Sequence, residues 1–191
     1  PLLLGKATRA ANFLQDTDKE YCAGFRLGYC TDTQDSTGKI LDKSKIKVTK
    51  EQIEEILADL RGNILQLPPM YSAVQINGQR LYTLARKGIE IEREKRPVTI
   101  YKLILNKFDN NTQCGELEVR CSKGTYIRTL CNDIGEKLGT FGIMTSLRRT
   151  SAAGFSLNEA VSLKEADELS QMGTLEDKVY PTENLFLNIS Q

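Results

Sequence analysis

The strongest constraint on the fold of this chain is a change of hydrophobic period along it. Over 21–28, Tyr21, Ala23, Phe25 and Leu27 alternate with Cys22, Gly24, Arg26 and Gly28. A two-residue period puts the first set on one face of a strand. The same alternation returns over 115–121, with Leu117, Val119 and Cys121 set against Glu116, Glu118 and Arg120, and 98–108 before it is rich in Ile, Leu and Tyr. Between these strands the period lengthens to that of a helix. Over 50–61, Ile53, Ile56, Leu57 and Leu60 form an apolar stripe. Thr49 and Gln52 make a capping box ahead of it, and Gly62 is suited to follow its end. A second helix is expected over 125–138, with Ile127, Leu130, Cys131, Ile134 and Leu138 inward and Gly139 as its stop. A short helix over 6–16 and another opened by Ser162 and Glu165 complete the set. Thr31 to Gly38, dense in Thr, Asp, Ser and Gly, reads as a loop. Strands and helices alternate irregularly, with hairpin-like neighbours. The expected class is α+β, a mixed, largely antiparallel sheet with flanking helices.

Chemistry is constrained from another side. The 191 residues contain no histidine, so no Ser-His-Asp triad, Cys-His pair or imidazole acid or base exists within this chain. Its five cysteines (Cys22, Cys30, Cys114, Cys121 and Cys131) include no Cys-x-x-Cys pair, and zinc spacings fail without His. They read as reduced, small core or surface residues. No apolar run is long enough to span a bilayer. The first residue is Pro1, so the chain is expected to be a piece of a longer one.

The net charge of +1 hides an asymmetry. Residues 157–191 hold seven acidic and two basic residues, while 1–156 hold 24 basic and 18 acidic. A mildly basic body suits a polyanionic partner. The excess concentrates in one stretch. Pro68 and Pro69 forbid a helix, and the residues to Arg96 then mix basic with aromatic side chains, among them Tyr71, Arg80, Tyr82, Arg86 and Arg93. Such interleaving suits phosphates and stacked bases; it also suits an exposed excursion with a short helix over 81–87. The segment Cys121-Ser-Lys-Gly-Thr-Tyr-Ile-Arg128 joins a strand end to a helix start. Backbone N–H groups there attract anions, Lys123 can reach a phosphate, and the Arg128 fork fits a carboxylate or phosphate. An ordinary strand-to-helix turn with a solvated Arg fits the same pattern.

That segment, continued by Thr129, resembles the late signature of the bacterial TruB-type tRNA pseudouridine synthases. Four more stretches agree in order. They are Leu4-Gly-Lys-Ala-Thr-Arg9; Asp18-Lys-Glu-Tyr21 leading to Arg26-Leu-Gly and the 31–38 loop; Pro68-Pro-Met-Tyr-Ser-Ala73 with Gly78, Leu81-Tyr82, Ala85-Arg86 and Gly88; and Leu147-Arg-Arg149 with Gly154-Phe155. The likeness runs from Pro1 to about Leu163. It implies isomerisation of a T-loop uridine of tRNA to pseudouridine, by an essential aspartate with base flipping and with neither metal nor organic cofactor. The site residues it implies are Tyr21, stacking on the flipped base; Arg128, pairing with the catalytic aspartate; Tyr126 and Leu147, lining the uracil pocket; and Lys123 and Tyr71, contacting RNA. The 68–96 excursion matches the family's RNA-binding thumb.

Two departures accompany the likeness. The family's Gly-x-Leu-Asp motif would end just ahead of Pro1, and Asp16 and Asp18 lie on the wrong side of the motif order to replace it. The stretch 139–143 also lacks a His often found before the final Leu-x-Arg. The resemblance thus implies a catalytic domain over 1–156 without its nucleophile segment, then an acidic helical tail over 157–191 leading to a further C-terminal domain. It implies a cytoplasmic monomer, its upstream segment joined or cleaved, acting on the T arm of tRNA with no metal or membrane partner. A catalytically inactive RNA-binding protein is the alternative.

Overall fold

The structure, a computed structural model, describes residues 1–181. The strands in chain order are β1 (Lys19–Leu27), β2 (Tyr29–Thr31), β3 (Ile40–Lys43), β4 (Gly62–Gln66), β5 (Gln75–Ile76), β6 (Gln79–Arg80), β7 (Arg96–Asp109), β8 (Cys114–Cys121), β9 (Gly142–Ala152) and β10 (Phe155–Ser156). The helices are α1 (Ala11–Gln15), α2 (Lys50–Asp59), α3 (Leu81–Ala85), α4 (Ile127–Lys137) and α5 (Leu163–Met172). Six strands form one sheet in the order β10–β9–β1–β8–β7–β4, and β2–β3 and β5–β6 are separate hairpins. The β4–β7, β7–β8 and β9–β10 pairings are antiparallel. The α+β class read from the sequence is the class observed.

The chain forms two compact units: residues 21–148, and residues 1–20 with the segment from Arg149 onward. In the larger unit the alternation of β1 behaves as its period requires. Tyr21, Ala23, Phe25 and Leu27 are buried, together with Leu103 and Leu105 of β7 and Leu117 and Val119 of β8. Ile53 and Leu57 of α2 and Ile127, Leu130, Cys131 and Ile134 of α4 close the same core. Each fully buried aliphatic side chain contributes about 1.5–3 kcal/mol. The Thr49–Gln52 capping box is present at the start of α2.

Helix α4 approaches β9 closely. A Cβ at Gly135 would fall on the backbone of Phe141 and Gly142. Only glycine permits that approach, and it sets the helix that carries Arg128 beside the strand that carries Leu147.

In the smaller unit, Ala10, Leu14 and Ala153 form a small buried cluster with Leu3 and Phe155. The helix expected over 6–16 is a 3-10 helix (Gly5–Ala10) running into α1. Leu4 offers no capping side chain, and the uncapped first turn tightens. Helix α5 begins at the expected Ser162–Glu165 capping box and stops at Gly173, whose φ is +71°.

Candidate active site

The β2–β3 turn and the Tyr71 segment meet at Arg128, the end of β4 reaches the start of α4 through Gln66, and the start of β9 bonds to the turn through Met144. Tyr126 is the extended N-cap residue of α4, so Arg128 is the second residue of the helix. Its Nη1 lies 3.5 Å from Oδ2 of Asp35, and its Nη2 donates to the Tyr71 carbonyl. Side-chain exposure is 22% at Arg128 and 15% at Asp35, so the pair is sheltered without being sealed. Two of the five guanidinium N–H donors are committed by these contacts, which fixes the plane of the fork.

Asp35 is itself held. Its Oδ1 accepts from Thr33 Oγ1 at 2.8 Å, the Thr37 amide at 3.0 Å and Thr37 Oγ1 at 2.6 Å. Burial raises this carboxyl, but the donations from Thr37 and Thr33 and the charge of Arg128 outweigh it. The net displacement is downward, so the group stays ionised at neutral pH. The turn around it is pinned from three directions. The Met144 amide donates to the Gln34 carbonyl at 3.1 Å and the Ser36 amide to the Met144 carbonyl at 2.8 Å. Thr31 Oγ1 donates to the Asp35 carbonyl at 2.8 Å, and Thr129 Oγ1 to Gln34 Oε1 at 2.9 Å. Gln34 pays for this with a left-handed backbone, φ +62°.

Tyr126 is fixed by one buried side chain. Gln66, 2% exposed, accepts from the Tyr126 amide at 2.7 Å and donates to the Tyr126 carbonyl at 3.1 Å. The amide of Gln66 thus acts as a short piece of strand, tying the end of β4 to the start of α4. The excursion that follows β4 is tied off at its root, where Arg93 donates to the Pro68 carbonyl at 3.0 Å. Within the excursion Tyr82 carries two guanidinium groups near its ring, Arg86 at 5.3 Å and Arg80 at 6.0 Å from the centre. The hydrogen bond from Arg80 is the main cause that lowers the Tyr82 hydroxyl.

The structure therefore gathers Arg128, Tyr71 and Tyr126 at one place. Tyr21 opens the buried row of β1, is 8% exposed, and shares its apolar cluster with Ile127. Leu147 is 45% exposed, three residues along β9 from Met144, and Lys123 is exposed in the turn before α4. Asp35 and Gln66 were not singled out by the sequence reading. A faint signal for Asp35 is its place between Thr33 and Thr37, two residues to either side, which makes a turn that hydrogen-bonds its own carboxylate. Gln66 offers none. Burial pushes the Cys131 thiol up to about 12, which keeps it protonated. Among the described residues, no three His, Cys, Asp or Glu side chains are grouped to hold a metal ion, and no helix is long and apolar enough to cross a membrane.

The fold is shared with chains of solved protein complexes. A chain in the crystal structure of a Cbf5–Nop10–Gar1 complex superposes with a TM-score of 0.71 at 24% identity, over 95% of this chain and 47% of that one. In sequence, residues 1–127 match the TruB family pseudouridylate synthase N-terminal domain, and residues 128–186 match the tRNA pseudouridylate synthase B C-terminal domain. The chain belongs to the TruB family of pseudouridylate synthases. It is 47% identical over 171 residues to tRNA pseudouridine synthase B of Methylobacillus flagellatus, covering 90% of this chain and 56% of that protein. With the Streptococcus pneumoniae tRNA pseudouridine synthase B the identity is 44% over 188 residues, covering 96% and 64%. The chain thus spans between half and two thirds of the length of these relatives.

Proposed function

We propose that this chain carries most of the catalytic domain of an enzyme that isomerises a T-loop uridine of tRNA to pseudouridine, in the cytoplasm and as a monomer. In that domain organisation, residues 1–156 are the catalytic part, 68–96 the RNA-binding thumb, and 157–191 an acidic connection toward a further domain. The observation that carries the reading is the oriented guanidinium of Arg128. The Tyr71 carbonyl and Asp35 fix two of its donors and leave its remaining face to receive a second carboxylate.

The reaction breaks the bond between uracil N1 and ribose C1′ and forms one between C5 and C1′. A proton leaves C5 and one is gained at N1, so the change is an isomerisation. The carboxylate of the family's Gly-x-Leu-Asp motif attacks and is released again by the time the C5–C1′ bond has formed, and Arg128 keeps it ionised and aimed. Asp35 is ill suited to attack, because its Oδ1 already accepts three hydrogen bonds. It positions Arg128 instead. Tyr21 takes the flipped uracil against its ring, and its hydroxyl handles the C5 proton. Tyr126 and Leu147 line the pocket, and Lys123 and Tyr71 contact RNA beside it.

The test is tritium release from tRNA transcribed with 5-tritiated uridine, using the full-length parent and the 191-residue chain side by side. The parent releases one tritium per tRNA; the 191-residue chain, which contains no Gly-x-Leu-Asp motif, releases none. A parent that binds tRNA and releases nothing would assign the chain to RNA binding without chemistry.

A further inference from the structure

Away from Arg128, one arrangement of charged side chains has no part in the chemistry above. The Arg26 guanidinium lies over the Tyr29 ring, 4.1 Å from its centre, and its Nη2 donates to the Tyr29 hydroxyl at 3.1 Å. Lys43 stands opposite Tyr29 in the β2–β3 ladder, with its Nζ 5.4 Å from the centre of the same ring. Two cations share one aromatic ring. Among the described residues neither has a carboxylate within ion-pair distance. Nε of Arg26 is buried without an acceptor.

The hairpin separates charge by face. Directly opposed residues of an antiparallel pair share a face, so Tyr29 and Lys43 lie on one side and Cys30 and Asp42 on the other. After burial itself, the charges that raise the Cys30 thiol are Asp42 and Glu136, so the acidic groups gather on that second side. Around Lys43, segment 39–50 holds five lysines and one acidic residue, Asp42, and Lys39, Lys45 and Lys47 are all exposed. Like charges held near one another repel, and cation–π contact offsets this by only about 0.5–1 kcal/mol at an exposed site. A ligand that brings negative charge removes the conflict. The 68–96 excursion repeats the construction, with Tyr82 between Arg80 and Arg86.

Position narrows the ligand. Thr31, which anchors the Asp35 turn, is two residues from Tyr29, or about 7 Å along the strand. In a duplex, one strand carries a phosphate about every 3.4 Å of helix axis. A strand whose uridine lies at Arg128 therefore carries phosphates to this ring within a few nucleotides. We propose that Arg26, Tyr29 and Lys43 form a second RNA contact, which grips backbone phosphates of the strand flanking the target uridine. This rests on the tRNA reading above. Tyr29 is a positioning residue that holds the Arg26 fork; Arg26 and Lys43 make the contact.

The test uses the full-length protein and an unmodified tRNA transcript, with filter binding across a salt series. Lys43→Gln is expected to weaken binding about threefold to tenfold and to flatten the slope of log affinity against log salt by roughly 0.7–0.9, the signature of one lost phosphate contact. Lys43→Glu weakens it further, and Lys43→Arg restores it. Wild-type affinity and slope in both Lys43→Gln and Lys43→Glu overturn the proposal while leaving the tRNA reading intact. A wild-type protein that does not bind tRNA overturns both. Variants that bind tRNA normally but lose binding to polyglutamate overturn it in favour of an acidic protein partner.

Discussion

Arg128 is held by groups from far along the chain. Asp35 precedes it by 93 residues and Tyr71 by 57. In the full-length protein, Arg128→Lys keeps the charge but cannot serve two acceptors and a second carboxylate in one plane. Turnover should fall by two decades or more, on the order of 3 kcal/mol, with tRNA affinity nearly unchanged; a matched loss in affinity would make Arg128 an RNA contact instead. Tyr21→Leu removes the stacking surface, which is worth roughly 1–3 kcal/mol or up to about two decades in rate. A loss much beyond that, shared by Tyr21→Phe, assigns the hydroxyl to the chemistry. Wild-type rates in both variants make Tyr21 a core residue alone. Gln66→Ala strips both hydrogen bonds from the Tyr126 backbone. It should cost about 1–3 kcal/mol in urea denaturation and lower turnover by misplacing the start of α4; unchanged stability would mean that water replaces the amide. Arg128 and Tyr126 were singled out as candidates because the Cys-Ser-Lys-Gly-Thr-Tyr-Ile-Arg segment is contiguous. Asp35 and Gln66 were not, because their roles depend on partners 93 and 60 residues away.

Elements with a dense local signal were the ones the sequence disclosed. The capping boxes of α2 and α5 and the alternation of β1 and β8 are realised as read. Strand β3 carries no such signal, since all four of its residues are exposed and no face is selected. Strand β9 has its buried residues only at one end, so its period is hidden as well. Two features of α4 yield predictions. Gly135→Ala drives a methyl into the β9 backbone, and overpacking of that kind costs about 1–3 kcal/mol; a thermal melt within error of wild type would show that helix and strand can part freely. Asp133 is pushed up to about 6, by burial first and by the charge of Glu136 second, against relief from Asn132, Lys95 and Lys137. Between its ordinary value and about 6 the folded state keeps a proton that the unfolded state has lost, so stability falls as pH rises through that window. Asp133→Asn should therefore raise stability at pH 8 by on the order of 1 kcal/mol, allowing for its partial exposure, and change little at pH 4. Equal effects at both pH values would remove ionisation as the cause.

At the scale of the molecule, the larger unit carries the Arg128 site and two arginine–tyrosine clusters, one in the 68–96 excursion and one where β1 meets the β2–β3 hairpin. On the function proposed above, the basic body around this sheltered guanidinium brings an RNA strand to the carboxylate. The most direct measurement is to incubate the full-length protein with an unmodified tRNA transcript and locate pseudouridine by carbodiimide adduct formation and primer extension. The account predicts a single pseudouridine in the T loop, absent with Arg128→Lys although that variant still binds the transcript. No pseudouridine with the wild-type protein, or one formed only outside the T arm, would contradict it.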